Sequence, residues 1–209
     1  MALDVITLAG MTPGAIEYRE DMARWQPDAR GRLQEAALTL YDERGFDDTT
    51  VTQIAEHAGL SKRTFFRYFT DKREVLFAGS KDLEELMVTE VARAPESTAP
   101  LDGMIAALDA AAAIFEPLRE HATRRQQIIA ANPELQEREL IKLASLAGAV
   151  AQALRGRGVA EAPAILTAEA GITVFRIAFE RWVEHANRRE LQPLIHEALE
   201  ELRAVTAQP

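Results

Sequence analysis

Lys62, Arg63 and Thr64 stand in a row behind a serine, and Arg67, Lys72 and Arg73 follow closely. Arginine and lysine carry the donors that guanine O6 and N7 accept, so Lys62 and Arg63, with Thr64 beside them at the start of a helix, suit base edges in a duplex. They read bases only if a rigid unit carries them. The preceding residues supply one. Within Val51–Phe69, Ala55 is a small residue where two helices can cross, and Gly59, four positions later, suits the turn between them. Ile54, Ala58, Leu60, Phe65 and Tyr68 fall where the inward contacts of such a pair belong. A basic run alone is usually a solvated face, and an alanine–glycine hairpin alone is ordinary. Seven agreeing positions with basic side chains on the second helix point instead to a helix-turn-helix, whose second helix enters the major groove.

Position then assigns roles. Lys62, Arg63 and Thr64 are expected at base edges. Thr50, Thr52, Phe66, Tyr68 and Lys72 are expected at the phosphodiester backbone, Tyr68 half-buried, with Arg30 adding a phosphate contact. Phe65 and Phe69 read as core. The other residue types that do chemistry are not in working arrangements. Ser61, Ser80, Ser97 and Ser145 lack a G-x-S-x-G setting, and His57, His121, His185 and His196 form no H-x-x-x-H pair. Cysteine is absent, which excludes disulfides, zinc–cysteine sites and thiol nucleophiles. Gly156-Arg-Gly158 has no strand before it, so it is not a phosphate cradle. Neither catalysis, nor a metal, nor a cofactor is expected.

The elements that must hold these residues are helical almost throughout. Leu33, Ala36, Ala37, Leu40 and Tyr41 form one stripe over residues 28–44, closed by Gly45. Thr50-Val-Thr-Gln53 is a capping box opening a helix over 51–58, and Ser61 caps a third helix to about Phe69. Thr70-Asp71 is expected to interrupt again, with a longer helix following to about Ala94. Ala94–Pro100 is a loop by composition, and five helices follow at about 101–116, 118–130, 133–155, 163–187 and 190–205. Asn132-Pro133 reads as an N-cap with proline at N1. No alternating run is long enough for a strand, so the fold class is all-α. No stretch provides about 18 uncharged apolar residues for a membrane span. MALDVITLAG is a poor signal peptide, and a cytoplasmic location is expected. Residues 1–21 show no period and carry one arginine against four acids; either residues 1–23 are a mobile acidic arm or the natural start is Met22.

The chain resembles the TetR family of bacterial transcriptional regulators. The resemblance runs from Gly45-Phe46 through Thr49-Thr50-Val51, Ile54-Ala55, Ala58-Gly59-Leu60-Ser61, Thr64-Phe65 and Tyr68-Phe69 to Lys72-Arg73-Glu74-Val75-Leu76, about a quarter of the chain. Phe66 departs from the pattern, because the family usually has tyrosine there and a hydroxyl for phosphate is lost. The resemblance implies a helix-turn-helix DNA-binding domain over 24–72 and a helical bundle for ligand binding and dimerisation over 73–209. Its partners would be a palindromic double-stranded operator, a small-molecule effector of unknown identity and a second copy of the chain. A single helix-turn-helix makes few contacts, which independently favours a two-fold dimer. The last two helices are the candidates for that interface, although the helix at 163–187 also suits a wholly internal position. Met104, Phe115, His121, Arg125, Phe175, Phe179 and Trp182 are candidates to line the ligand cavity. Aromatics at that spacing equally fit plain core, and His121 with Arg124 and Arg125 fits either an anion site or a solvated face. The implied function is a repressor released by its ligand. The alternative is a helical ligand-binding or adaptor protein that keeps the fold without using DNA.

With 24 basic residues against 33 acidic, the chain has a net charge of −9, which argues against nucleic acid until it is divided. Residues 60–75 hold five basic side chains against two acidic, and residues 24–73 are nearly neutral at +1. The acidity lies in residues 1–23 and 74–209. A basic reading helix on an acidic body would suppress indiscriminate sticking to DNA while leaving local contact attractive.

Overall fold

The stripe on residues 28–44 and the capping signals after it define the first three helices of a computed structural model, which describes residues 29–184 and 188–207. Helix α1, Ala29–Arg44, buries Leu33, Ala36, Ala37, Leu40 and Tyr41 as its spacing requires. Helix α2, Val51–His57, starts at a complete capping box: the Thr50 hydroxyl accepts from the Gln53 amide, and Gln53 Oε1 accepts from the Thr50 amide at 2.8 Å. Gly59 has φ +66°, left-handed backbone that costs other residues steric strain. Ser61 then caps α3, Lys62–Tyr68, by accepting from the Thr64 amide at 3.1 Å. Ile54, Ala55, Phe65 and Phe69 bury themselves between these three helices.

The chain breaks at Thr70-Asp71 as expected, but the long helix expected after it does not form as one piece. Asp71 Oδ1 accepts from the amides of Arg73 and Glu74 at 2.8 and 3.3 Å, which favours a tight turn. Glu74–Phe77 follows as a 3₁₀ segment, and α4 begins only at Ser80 and runs to Arg93. Val75, Leu76 and Phe77 are all buried. Consecutive side chains of a 3₁₀ turn point about 120° apart, so all three are buried because the core surrounds the segment. The head's apolar core therefore continues to Ala78, past the boundary expected at 72, and takes in Ile128, Ile129 and Leu135 from the body.

The body consists of α4, α5 (Pro100–Phe115), α6 (Arg119–Ala130), α7 (Pro133–Gly156), α8 (Glu161–Val183) and α9 (Leu191–Thr206), with a 3₁₀ turn at Glu116–Leu118. Among the described residues there is no strand. Asn132 does precede the proline at the head of α7, but its amide donates back to the Ile128 carbonyl at 2.6 Å instead of capping. Helix α8 ends at Val183, short of the expected 187, because Glu184 turns to φ −59°, ψ 133°; residues 185–187 lie outside the described residues. So does the expected N-terminal arm.

Helix α8 is the spine of the body. By length and composition it is long and apolar enough to cross a membrane, although Glu169 and Arg176 interrupt its apolar run. Here Ala164, Ala168, Gly171, Ile172, Val174, Phe175, Ala178 and Trp182 are buried against its neighbours. Gly171 is required by close approach: a Cβ there would run into the side chain of Met104 on α5. The helix is not wholly internal, since Ile165 and Leu166 remain exposed.

Candidate nucleic-acid interface and ligand cavity

Helix α3 is anchored from beneath by Phe65, which is fully buried and packs edge-on to Phe66 and tilted against Phe69 at 5.5 and 5.6 Å between ring centres. That anchoring turns Lys62 and Arg63 outward, and both are exposed. Thr64 is half-buried, with its hydroxyl 2.9 Å from Ser61 Oγ. The three candidates for base contact thus share the first turn of one short, rigidly held helix. Thr50 and Thr52 are exposed at the start of α2, and Phe66 on α3 is half exposed. Arg67 donates to the Tyr68 hydroxyl at 3.0 Å and covers its ring, so these two side chains form one surface unit.

Two residues expected at phosphates hold partners within the protein. Lys72 Nζ donates to the carbonyls of Phe46, Asp47 and Thr49 at 2.7, 3.1 and 3.0 Å and sits 4.2 Å from the centre of the Phe46 ring. An ammonium has three protons, and the α1–α2 turn accepts all three. Arg30 donates to the Ala78 carbonyl and lies 3.6 Å from Asp82, tying α1 to the start of α4. Both partners are far away in sequence, which is why a linear reading turned these cations outward. Tyr41 adds to the same frame by donating to the Lys72 carbonyl at 2.7 Å; its burial, with the charge of Asp71, pushes the phenol well above its usual range.

The body holds a cavity of about 250 Å³. Phe115, Phe175 and Phe179 line it, with rings 5.3 to 5.8 Å apart, and His121 and Arg125 line its polar end. Met104 and Trp182, also expected in the lining, are outside it. Both are fully buried, Met104 against Gly171 and Trp182 beneath the Arg119 guanidinium at 4.8 Å. Sequence reasoning missed Leu76 and Phe77 from the 3₁₀ segment and Glu139, Lys142, Leu143 and Leu146 from α7. The latter four recur at i, i+3, i+4 and i+7. A half-polar, half-apolar stripe on a long helix was the signal available.

The polar end of the cavity is also the joint between body and head. Arg125 donates through Nε to the Leu76 carbonyl at 2.7 Å and through Nη1 to Glu139 at 3.0 Å, with the guanidinium over the Phe77 ring. Glu74 receives Arg138 at 2.6 Å and Lys142 at 2.9 Å, both from α7. Arg124, next to the cavity residue, bridges to Glu35 and Asp42 of α1 at 2.9 Å each. Burial lowers the pKa of His121; Glu35 opposes this, and Arg125 and Arg124 reinforce it, so the imidazole is neutral at pH 7. Burial also pulls Arg125 down against the pull of Glu139, yet an arginine stays charged. The wall of the cavity and the segment leaving the head are therefore linked by direct hydrogen bonds.

Residues 33–78 match the family model described as "Bacterial regulatory proteins, tetR family", and residues 98–207, more than half of the chain, match the model described as "MftR C-terminal domain". The chain is 36% identical over 81 residues to the HTH-type transcriptional regulator TcmR of Streptomyces glaucescens, a match covering 39% of this chain and 36% of that one. It is 31% identical over 94 residues to HbdR of Aromatoleum sp. (strain CIB), covering 44% and 41%. The chain thus spans about two fifths of the length of these curated relatives. Among solved structures, a putative TetR-family regulator from Syntrophomonas wolfei aligns over 87% of this chain and 96% of its own, at a TM-score of 0.61 and 16% identity. The Thermus thermophilus FadR in complex with lauroyl-CoA aligns over 86% and 96%, at 0.52 and 24%. At these identities the structures show a shared fold.

Proposed function

The chain belongs to the TetR family of bacterial regulatory proteins, and on that footing we propose that it is a ligand-responsive transcriptional repressor, acting as a dimer on a palindromic operator. The observation that carries this reading is the first turn of α3, where exposed Lys62 and Arg63 project from a helix fixed by buried Phe65. Such a turn places its side chains at base edges in the major groove. Thr50, Thr52 and Phe66 then meet the sugar–phosphate backbone, Phe66 by apolar contact only.

The second copy docks on α8 and α9. Exposed Ile165 and Leu166 on α8 and Val205 on α9 support this, because they offer apolar area that a partner could cover. Two heads then read two half-sites about one helical turn apart. The cavity takes the effector. The Arg125–Leu76 and Glu74–Lys142 bonds run from its wall to the segment that leaves the head, so a ligand that prefers one setting of this joint shifts the population toward it. If that setting spaces the heads wrongly for the operator, DNA affinity falls.

A titration tests the reading directly. The full chain is added to a labelled duplex from the region flanking its own gene, over a range of salt and against excess unrelated duplex. Saturable binding that survives the competitor and weakens with salt is the expected result. Equal affinity for both duplexes would move the chain to the adaptor reading.

A further inference from the structure

The chemistry of the cavity narrows its ligand, and this step rests on the reading of the cavity as an effector site. Arg125 has five N–H donors and no acceptor. The Leu76 carbonyl occupies Nε, and Glu139 and Gln126 share Nη1. Among the described residues no hydrogen bond engages its Nη2, and none engages either ring nitrogen of His121, the neighbouring side chain of the wall. A cation with a donor to spare and a neutral imidazole thus meet at one end of an otherwise aromatic space. The charges agree with this. Arg125, Lys142 and Arg176 line the cavity against Glu139 and Glu180, one positive charge in excess. Of the charges just outside the wall, Glu74 and Arg138 cancel, and Arg124 with Glu35 and Asp42 adds one negative charge on the side of α1, so the excess belongs to the lining itself. Both lining carboxylates already hold an arginine, Glu139 with Arg125 and Glu180 with Arg176.

We propose that the cavity binds a small apolar acid, its carboxylate on Arg125 Nη2 and His121 and its hydrocarbon or aromatic part against Phe115, Phe175 and Phe179. A carboxylate gains charge-assisted hydrogen bonds from the guanidinium and cancels the surplus charge. An amine would add to that charge and find each glutamate taken. An alcohol would supply the acceptor without the charge. At about 30 Å³ of liquid volume per water, less for each bonded atom, the space suits a molecule of roughly ten non-hydrogen atoms. The three rings complement either a phenyl group or a flexible alkyl chain.

The experiment uses the full chain and six probes: octanoate and 3-phenylpropionate, the two alcohols of the same skeletons, and the two amines. Calorimetric titration gives each affinity, and the melting temperature of the ligand-free protein reports whether each variant is folded. Both acids are expected to bind about ten-fold or more tightly than their alcohols and amines, the magnitude of one charge-assisted hydrogen bond. Arg125→Gln should abolish that preference. Arg125→Lys, which keeps the charge and loses the fork, should reduce it, and His121→Asn should reduce it less than Arg125→Gln. If Arg125→Gln does not fold, the lysine and asparagine variants decide. Binding of an alcohol or amine as tight as that of its acid would overturn the proposal. So would no acid binding up to millimolar concentration, or a preference that survives every variant. Release of operator DNA is measured alongside. A compound of another class that releases the DNA while no acid binds removes the ligand class and leaves the regulatory reading standing. Selective acid binding with no change in DNA affinity supports the ligand class and removes its regulatory use.

Discussion

Lys72→Met separates a structural cation from a phosphate contact. Methionine keeps the apolar stem and removes the donors that now reach the carbonyls of Phe46, Asp47 and Thr49. A hydrogen bond from a charged donor contributes about 1.5–3 kcal/mol. The sum is well below three times that. The bond to Asp47 is exposed, so water replaces it, and releasing the lysine side chain returns up to ~2 kcal/mol of rotamer entropy. A net loss of about 2–3 kcal/mol follows. At about 2–4 °C per kcal/mol for a chain of this size, Tm falls by roughly 4–12 °C. Thermal unfolding measures this, and a DNA titration over a range of salt measures the rest. A residue that neutralises a phosphate carries about 0.9 of the slope of log affinity against log salt, so its removal would flatten that slope by nearly one. Here the slope is expected to stay, with any loss of affinity reflecting a looser head. An unchanged Tm together with a slope reduced by about one would refute the reasoning and return Lys72 to the DNA backbone.

Other substitutions probe separate parts of the account. Arg63→Ala should weaken operator binding by about 1–3 kcal/mol and relax base preference at one position of each half-site, read by titration against single-base operator variants. Gly59→Ala should destabilise the head by about 1–2 kcal/mol in urea unfolding, because φ is +66° and a Cβ would lie 2.8 Å from Arg32 Nη2. Asp71 gives a pH signature. Partial burial acts to raise its pKa, but hydrogen bonds from the Arg73 guanidinium and from the amides of Arg73 and Glu74 outweigh that and lower it. A carboxylate depressed in the folded state stabilises above its unfolded value near pH 4, and that stability is lost as the pH falls through the lower folded value. Asp71→Asn should therefore be less stable than the parent at pH 7, with the gap closing as the pH falls below about 4 in urea midpoints.

The head was legible because its geometry leaves so few choices. Ala55, Gly59 and Ser61 stand at a crossing, a left-handed turn and a cap, and each admits a narrow set of residues at fixed spacing. The body's helices were legible for a weaker reason: Pro100, Pro133 and the glycines near 158 punctuate a strong 3.6-residue period. What escaped was whatever depends on distant partners. Lys72 and Arg30 read as free cations because the carbonyls that hold them lie 23 to 48 positions away. The break at 74–77 was hidden because Val75-Leu76-Phe77 is equally apolar in a helix or a 3₁₀ turn, and only a core on several sides selects the turn. Trp182 and Met104 share the residue types of the cavity wall but not its position, since which face of a buried helix meets empty space is set by the neighbouring helices. The contribution of α7 to the wall was present as a spaced stripe, and it gained meaning only once α7 was seen to cross the exit of the head.

The central claim is that the first turn of α3 reads duplex sequence in two symmetric copies. Selection of bound duplexes from a randomised library by the full chain, followed by measurement of the mass of the complex, tests it most directly. The account predicts one enriched motif with two-fold symmetry, half-sites about one helical turn apart and an even number of chains on each duplex. Recovery of no motif, or of an asymmetric one bound by a single chain, would contradict it.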